Sequence, residues 1–538
     1  MKLLRQSASH VTALRAIPHR PLRLLGGAAL ALLIAMLIAT LFWSILGAAA
    51  VEPEGTSRLD IGYLVYITAL QATLSTVLSL IVGIALAWAL NRLRFPGRSL
   101  VIGLFASAIV TPGLIVAFGL LAVWGRSGWL SSFAGHPLDL PIFGLGGVVA
   151  AHLILDGAFA ARILLARLDA IPEARLKTGQ SLAMRPWARF SIIDWPAMRG
   201  TLPGLAALIF LLAFTSFPIV LLLGGGPSVQ TLEVAIYSAV RLDFDLAAAV
   251  QLALLQIAIC AIIILMSSAL APISSSLDRP VEPRWRDAGA ARLWQWLILI
   301  LSLLGFASPL LAVLVGGLSG LASVLAQPAF WNAVATSLWI GAASAVVALL
   351  LALVVAGARA ATVSRLARIA LGAPAFAYLA VPAVALSLGA FLFVRDLGLA
   401  TDAAAPLVVV IANALLSLPF AMATLSPPLD AIARSRGKLI RSLGLSGTRQ
   451  FLDIEWPLIA RDAGLVLALS FCFSLGDLGV IALFGTEHFA TLPLQMVRAL
   501  GAYRTNDAAA IAALMMVLTI AAFVALPALF ERLSRARP

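Results

Sequence analysis

Apolar stretches of about 20 residues or more recur along nearly the whole chain, and no other feature so narrows what it can fold into. Their approximate bounds are 23–48, 62–90, 100–124, 143–167, 201–223, 246–271, 293–317, 331–357, 368–394, 405–425, 462–485 and 508–530, twelve in all. A hydrocarbon core gives an open backbone no hydrogen-bond partner, and runs this long without alternation of period two do not read as barrel strands, so each is expected to be a helix. With 62% of 538 residues hydrophobic, 11% charged and a mean hydropathy of +1.04, the expected fold is an all-α polytopic membrane protein with about 12 transmembrane helices. The basic leader before residue 23 and the long first run read as an uncleaved first span in the lipid bilayer.

A net charge of +13 raises nucleic acid as a partner, and the distribution of the charge argues against it. With the N-terminus inside, these spans place 31 of the 37 Lys and Arg residues in or beside cytoplasmic segments and 6 outside, which is the positive-inside pattern that orients membrane proteins. Both termini are then cytoplasmic. The two cysteines, Cys260 and Cys472, fall inside predicted helices, so neither a disulfide framework nor a metal site is expected.

The chain repeats itself. Residues 168–197 match 429–458 without a gap at an offset of 261, with 12 of 30 positions identical. The identities include "LDAI", Arg175 with Arg436, Lys177 with Lys438, "SL", Phe190 with Phe451, and Trp195-Pro196 with Trp456-Pro457, while Asp194 faces Glu455. Weaker echoes follow, "AAAV" at 247 with "AAAI" at 508 and "TPG" at 111 with "VPA" at 381. Two copies of a six-helix unit, an even number, give parallel repeats. Each repeated loop lies on the cytoplasmic side between the fourth and fifth helix of its copy. At about 30 residues each is far longer than a connector, for which about 2–8 suffice. Basic and apolar residues at helical spacing, a break at Arg185-Pro186 or Ser446-Gly447, and a second short helix ending in acid-Trp-Pro predict a helix-break-helix docking surface. A positive-inside loop needs charge but does not need the same residues in the same register twice.

This loop resembles that of binding-protein-dependent ABC importer permeases, E-A-A, three residues, Gly, nine residues, I-x-L-P. The family glycine falls on Ala183 and Gly444, and the acidic start falls on Lys177-Thr178-Gly179 and Lys438-Leu439-Ile440, so both copies depart from the pattern at that start. The Ile-x-Trp-Pro ends and the spacing remain. "RFPGR" (94–98), "GRSGWL" (125–130), "LGGGPSVQTLEVAIYSAV" (223–240), "SLGDLGVIALFG" (474–485) and "FATLPLQMVRALGAYRTNDAAA" (489–510) are similar to the fused permeases of thiamine importers, with ferric-iron permeases the alternative.

The resemblance implies two parallel repeats of the type I ABC importer (MetI-like) permease fold in the bacterial inner membrane. Residues 1–60 would be the tail and first helix, 61–271 the first permease domain, 272–292 a cytoplasmic linker, 293–330 the seventh helix and outer loop, 331–530 the second domain and 531–538 a tail. It implies a translocation pathway for thiamine or thiamine pyrophosphate, two copies of an ABC ATP-binding subunit as partners, and a periplasmic solute-binding protein. The coupling residues would be Lys177, Ala183, Arg185, Trp195 and Pro196 in one loop and Lys438, Gly444, Arg449, Trp456 and Pro457 in the other. No cofactor is expected on this chain. The only Gly-Lys pair, Gly437-Lys438, lacks the glycine and the Ser or Thr of a phosphate-binding loop, so ATP and Mg would sit on the partner ATPase.

Ionisable groups in membrane helices mark pathways or internal pairs. Asp156, one turn from His152, and Asp477 are candidates to face a cationic substrate, with Phe214 and Phe217 as candidates to stack on its ring, each also open to a packing or internal-pairing role. Glu233, Tyr503, Arg504 and Asp507 are candidate periplasmic contacts. A twelve-helix secondary transporter is the main competing class, and "NRLRFPGR" does not carry that class's loop signature. A membrane enzyme would need a cluster of His, Asp, Cys or Glu at one depth, and five scattered histidines do not make one.

Overall fold

The structure, a computed structural model, describes residues 20–51, 60–226, 229–267, 285–445 and 447–535. Most of the expected N-terminal tail, linker residues 272–284, Ser446 of the expected loop break and the last three residues of the C-terminal tail lie outside the described residues. Every described element is a helix. The principal ones are α1 (Arg20–Val51), α2 (Ile61–Arg92), α3 (Gly113–Trp124), α4 (Leu145–Asp169), α5 (Leu202–Phe214), α6 (Leu232–Arg241), α7 (Leu246–Ser267), α8 (Ala290–Leu325), α9 (Pro328–Ala360), α10 (Ala383–Asp396), α11 (Thr401–Ser442), α12 (Trp456–Gly476), α13 (Leu492–Gly501) and α14 (Thr505–Arg535).

Ten described helices are long and apolar enough to cross a membrane, and up to 12 spans result if two sharply bent pairs each count as one. Several expected spans are interrupted. The expected 368–394 span bends by 102° between Arg365–Ala380 and α10, and the break is Val381-Pro382, whose first residue is extended as a pre-proline residue prefers. The 100–124 span breaks at Thr111-Pro112, so the repeated "TPG" and "VPA" are the joints of the two copies. The 201–223 span stops at Phe214 and resumes at Pro218, and the 462–485 span stops at Gly476 and resumes at Ile481. Hydropathy averages straight through such breaks.

The chain divides into two compact units, residues 56–330 with 493–517, and residues 1–55 with 331–492 and 518–538. The leading helix of each copy therefore belongs to the unit that holds the other copy's core. In the unit of residues 56–330, α8 packs against α3, where a Cβ on Gly119 would stand 2.5 Å from the carbonyl oxygen of Pro309. In the other unit α1 packs against α10, where a Cβ on Gly389 would stand 3.1 Å from the carbonyl oxygen of Leu41. Each glycine is the seat of an exchanged helix.

The amphipathic α6 and α13 were not among the expected spans. Their starts are fixed alike. The backbone N–H of Leu232 donates to Thr68 Oγ1 at 3.0 Å, and that of Leu492 donates to Ser337 Oγ at 2.8 Å. Thr68 and Ser337 thus set an offset of 269 between α2 and α9.

Candidate functional site

The first loop leaves α4 at Ala170, and Pro172 starts the helix Glu173–Ser181. That helix ends in a Schellman motif: the N–H of Met184 donates to Gly179 O at 3.2 Å and that of Ala183 to Gln180 O at 3.0 Å. Ala183 carries φ +47° there, and in the second copy Gly444 carries φ +61° with Leu445 N–H donating to Ile440 O at 3.1 Å. The position of the family glycine is therefore the left-handed residue that ends the first helix of the loop, and Ala183 adopts that conformation without being glycine. In the second copy the first helix of the loop is the end of α11 itself, which runs unbroken from Thr401 to Ser442.

The return limb contains a π-turn in both copies, Phe190–Asp194 and Phe451–Glu455. The N–H of Trp195 reaches back five residues to Phe190 O, as that of Trp456 does to Phe451 O. Proline supplies the cause, because Pro196 and Pro457 lack the N–H that a regular turn would use next. The freed carbonyl of Ile192 instead accepts a bond from Arg175 Nη2 at 2.9 Å, which ties the two limbs together.

The acid before Trp-Pro is buried at the root of the loop. Asp194 accepts from Arg92 at 2.5 Å and stands 3.7 Å from Arg189, whose guanidinium donates to both oxygens of Asp287 at 2.6 Å and lies 4.6 Å from the ring of Trp285. Gln295 Nε2 adds a bond to Asp287 at 2.7 Å. Burial opposes the charge on Asp287, but the hydrogen bond and charge of Arg189, helped by Gln295 and Arg92, outweigh it and hold the carboxyl below its ordinary range. In the second copy Arg23 of α1 grips Glu455 with two bonds of 2.8 and 3.0 Å, and Gln450, at the position of Arg189, donates to Glu455 at 2.7 Å. Each loop root is thus fastened to a residue on, or just before, the leading helix of the other copy.

The expected coupling residues separate into two groups. Trp195 and Pro196 belong to the root, where Trp195 lies beside Phe190, and Trp456 packs between Phe451 and Phe530. Lys177, Ala183, Arg185, Lys438, Gly444 and Arg449 are exposed near the apex, Lys177 with an i,i+4 ion pair to Glu173 at 3.0 Å. Two apex residues were not singled out in the sequence. Leu182 is 69% exposed and its counterpart Leu443 is 58% exposed, one residue before each left-handed cap. The "SL" repeat was their signal.

Within the membrane-crossing helices, Asp156 and His152 are buried on α4, and Ser75 Oγ lies 3.4 Å from His152 Nδ1. The Asp477 carboxylate accepts from the backbone N–H of Val480 at 3.2 Å, so it closes the turn that restarts the chain, while its own N–H donates to the carbonyl of Ser474 at 3.3 Å. Phe214 and Phe217 are fully buried, stacked on Phe210 and tilted against Tyr237, respectively. On the other side, Glu233 and Asp507 are buried, Asp507 accepting from Gln327 Nε2 at 3.1 Å, and neither offers a contact surface. Tyr503, 92% exposed with φ +57°, and Arg504 do.

No family model matches the chain. Curated relatives do. The thiamine transport system permease protein of Brucella melitensis is 37% identical over 461 residues, 84% of each chain, and that of Escherichia coli is 35% identical over 468 residues, 84% of this chain and 86% of the relative. The molybdenum transport system permease protein of Azotobacter vinelandii is 31% identical over 168 residues, 31% of this chain and 74% of the relative.

Proposed function

The chain belongs to the thiamine transport system permease family, and from that premise we propose that it is the membrane-spanning subunit of an ATP-driven importer, carrying thiamine or thiamine pyrophosphate across the inner membrane. It performs no catalysis itself. A separate ATP-binding subunit, in two copies, holds ATP and Mg and docks on the two loops, and a periplasmic binding protein delivers the substrate to the face that carries Tyr503 and Arg504. Both termini are cytoplasmic in this arrangement.

The observation that carries the reading is the duplicated loop, with an exposed leucine and lysine at each apex and a buried ionic root beneath. An apolar apex on a fastened base suits insertion into a groove on a partner, because the base resists the force that the partner applies. The test is co-purification from cells expressing the whole transporter. Leu182→Asp or Leu443→Asp is expected to weaken retention of the ATPase at one loop, and the double variant to abolish it together with uptake of labelled thiamine. Transport by the chain alone in proteoliposomes, driven by an ion gradient, would overturn the reading, and uptake of ferric iron in place of thiamine would overturn the substrate.

A further inference from the structure

The first copy carries between α2 and α4 a polar stripe with a carboxylate, of which the second copy keeps only a shorter, uncharged part. Ser75 meets His152, and a Cβ on Gly83 would stand 2.5 Å from Cβ of Ala160, so both helices advance eight residues between the two contacts. That register sets Asp156 level with Ser79. One turn above Ser75, Gln71 donates through Nε2 to Ala213 O at 2.6 Å, where α5 is about to break. Four buried atoms along these stripes have no protein partner: Gln71 Oε1, His152 Nε2, Ser79 Oγ and Asp156 Oδ2. Gln71 to Ser79 is eight residues, about 12 Å at 1.5 Å per residue.

The corresponding positions of the second copy hold no carboxylate, and among them only Asn413 Oδ1 is a buried polar atom without a partner. Asn413 stands for His152 and donates to Ser474 Oγ at 2.9 Å, and Ser474 donates to Ser344, the counterpart of Ser75, at 3.4 Å. Ser417 stands for Asp156 and donates to Ala414 O at 3.0 Å, while Ile340 and Ala348 stand for Gln71 and Ser79. Packing the same two helices therefore requires neither the carboxylate nor polar groups at the positions of Gln71 and Ser79. Buried polar groups are otherwise almost always partnered, and a buried carboxylate facing another polar helix is a place for a ligand.

We propose that this stripe is a one-sided station for an elongated organic monocation, with Asp156 opposite the positive charge and Gln71 Oε1 accepting from an N–H donor at the far end. It rests on the importer reading above and selects thiamine over its pyrophosphate, since only thiamine is a monocation, with its charged ring and its amine at opposite ends.

The test uses the complete transporter in proteoliposomes, with ATPase and binding protein, and compares uptake of thiamine with that of a neutral analogue in which an uncharged ring replaces the thiazolium. The binding protein is the same throughout, so its own preference cancels. Asp156→Asn is expected to lower the preference for the charged substrate at least tenfold relative to wild type, and Asp156→Glu to restore most of it. An unchanged preference, or equal slowing of both substrates, would overturn the proposal. Should Asp156→Asn fail to accumulate, Gln71→Leu keeps the charge and removes the acceptor. It is expected to raise KM for thiamine several-fold with the charge preference retained, and an unchanged KM overturns the proposal. Wild-type vesicles that take up no thiamine would sink the importer reading itself, a distinguishable outcome.

Discussion

Ala183 sits in a backbone region that suits glycine, and its partner by repeat, Gly444, is glycine. A left-handed L-residue costs about 1–2 kcal/mol, and glycine gives back about 0.4–1 kcal/mol through the freer unfolded chain. Ala183→Gly should therefore stabilise its loop by about 0.5–1 kcal/mol, whereas Gly444→Ala should destabilise the other loop by a similar amount. Hydrogen exchange of residues 173–184 and 434–445 would show the opposite signs. At the root, the folded carboxyl of Asp287 titrates below the unfolded value of about 3.9. Its contribution is thus complete above that pH and is lost as pH falls through the lower folded value. Amide exchange in residues 190–198 should be slower in the wild type than in Asp287→Asn at neutral pH, and the two should converge only in strong acid. Equal exchange at neutral pH would show that the tie contributes nothing.

Among the elements, the first helices of the repeated loops were legible because their basic and apolar residues recur in register, and the acid-Trp-Pro phrase was legible as a repeat but not as a root. Sequence repetition reports equal constraint, and a buried ion pair constrains a residue as strongly as a partner does. The reach from Asp194 to Arg92 and from Glu455 to Arg23 crosses long stretches of chain, which no local pattern encodes. The helix breaks were half legible: Pro112 and Pro382 stand at two of them, yet apolar residues on both sides kept the runs continuous. The exchanged helices were not legible, although their seats can be tested. A methyl at Gly119 would press on the Pro309 backbone, so Gly119→Ala should cost about 1–3 kcal/mol. Gly103→Ala, with nothing within 4 Å of the added carbon, should stay within about 0.5 kcal/mol of wild type. Thermal unfolding in detergent distinguishes them, and equal midpoints would refute the tight seat.

At the scale of the whole molecule, duplication was plain from residues 168–197 and 429–458, but the two copies have not stayed equivalent. One loop root is a chain of two acids and two arginines closed by the linker's end, and the other is a single bidentate pair with a glutamine. The intramembrane carboxylate of α4 exists in one copy only. Hydropathy could not reveal these differences, since each exchanges one polar group for another or for a small apolar one. The exchange of leading helices also sets a schedule. Gly119 is made 190 residues before Pro309, and Leu41 is made 348 residues before Gly389. At about 5–20 residues per second, those partners wait about 10–40 s and about 20–70 s for each other during synthesis. Until then, each early surface must be covered by lipid or by the insertion machinery, and the seat at Gly119 closes before the one at Gly389, although the chain of Leu41 is made first.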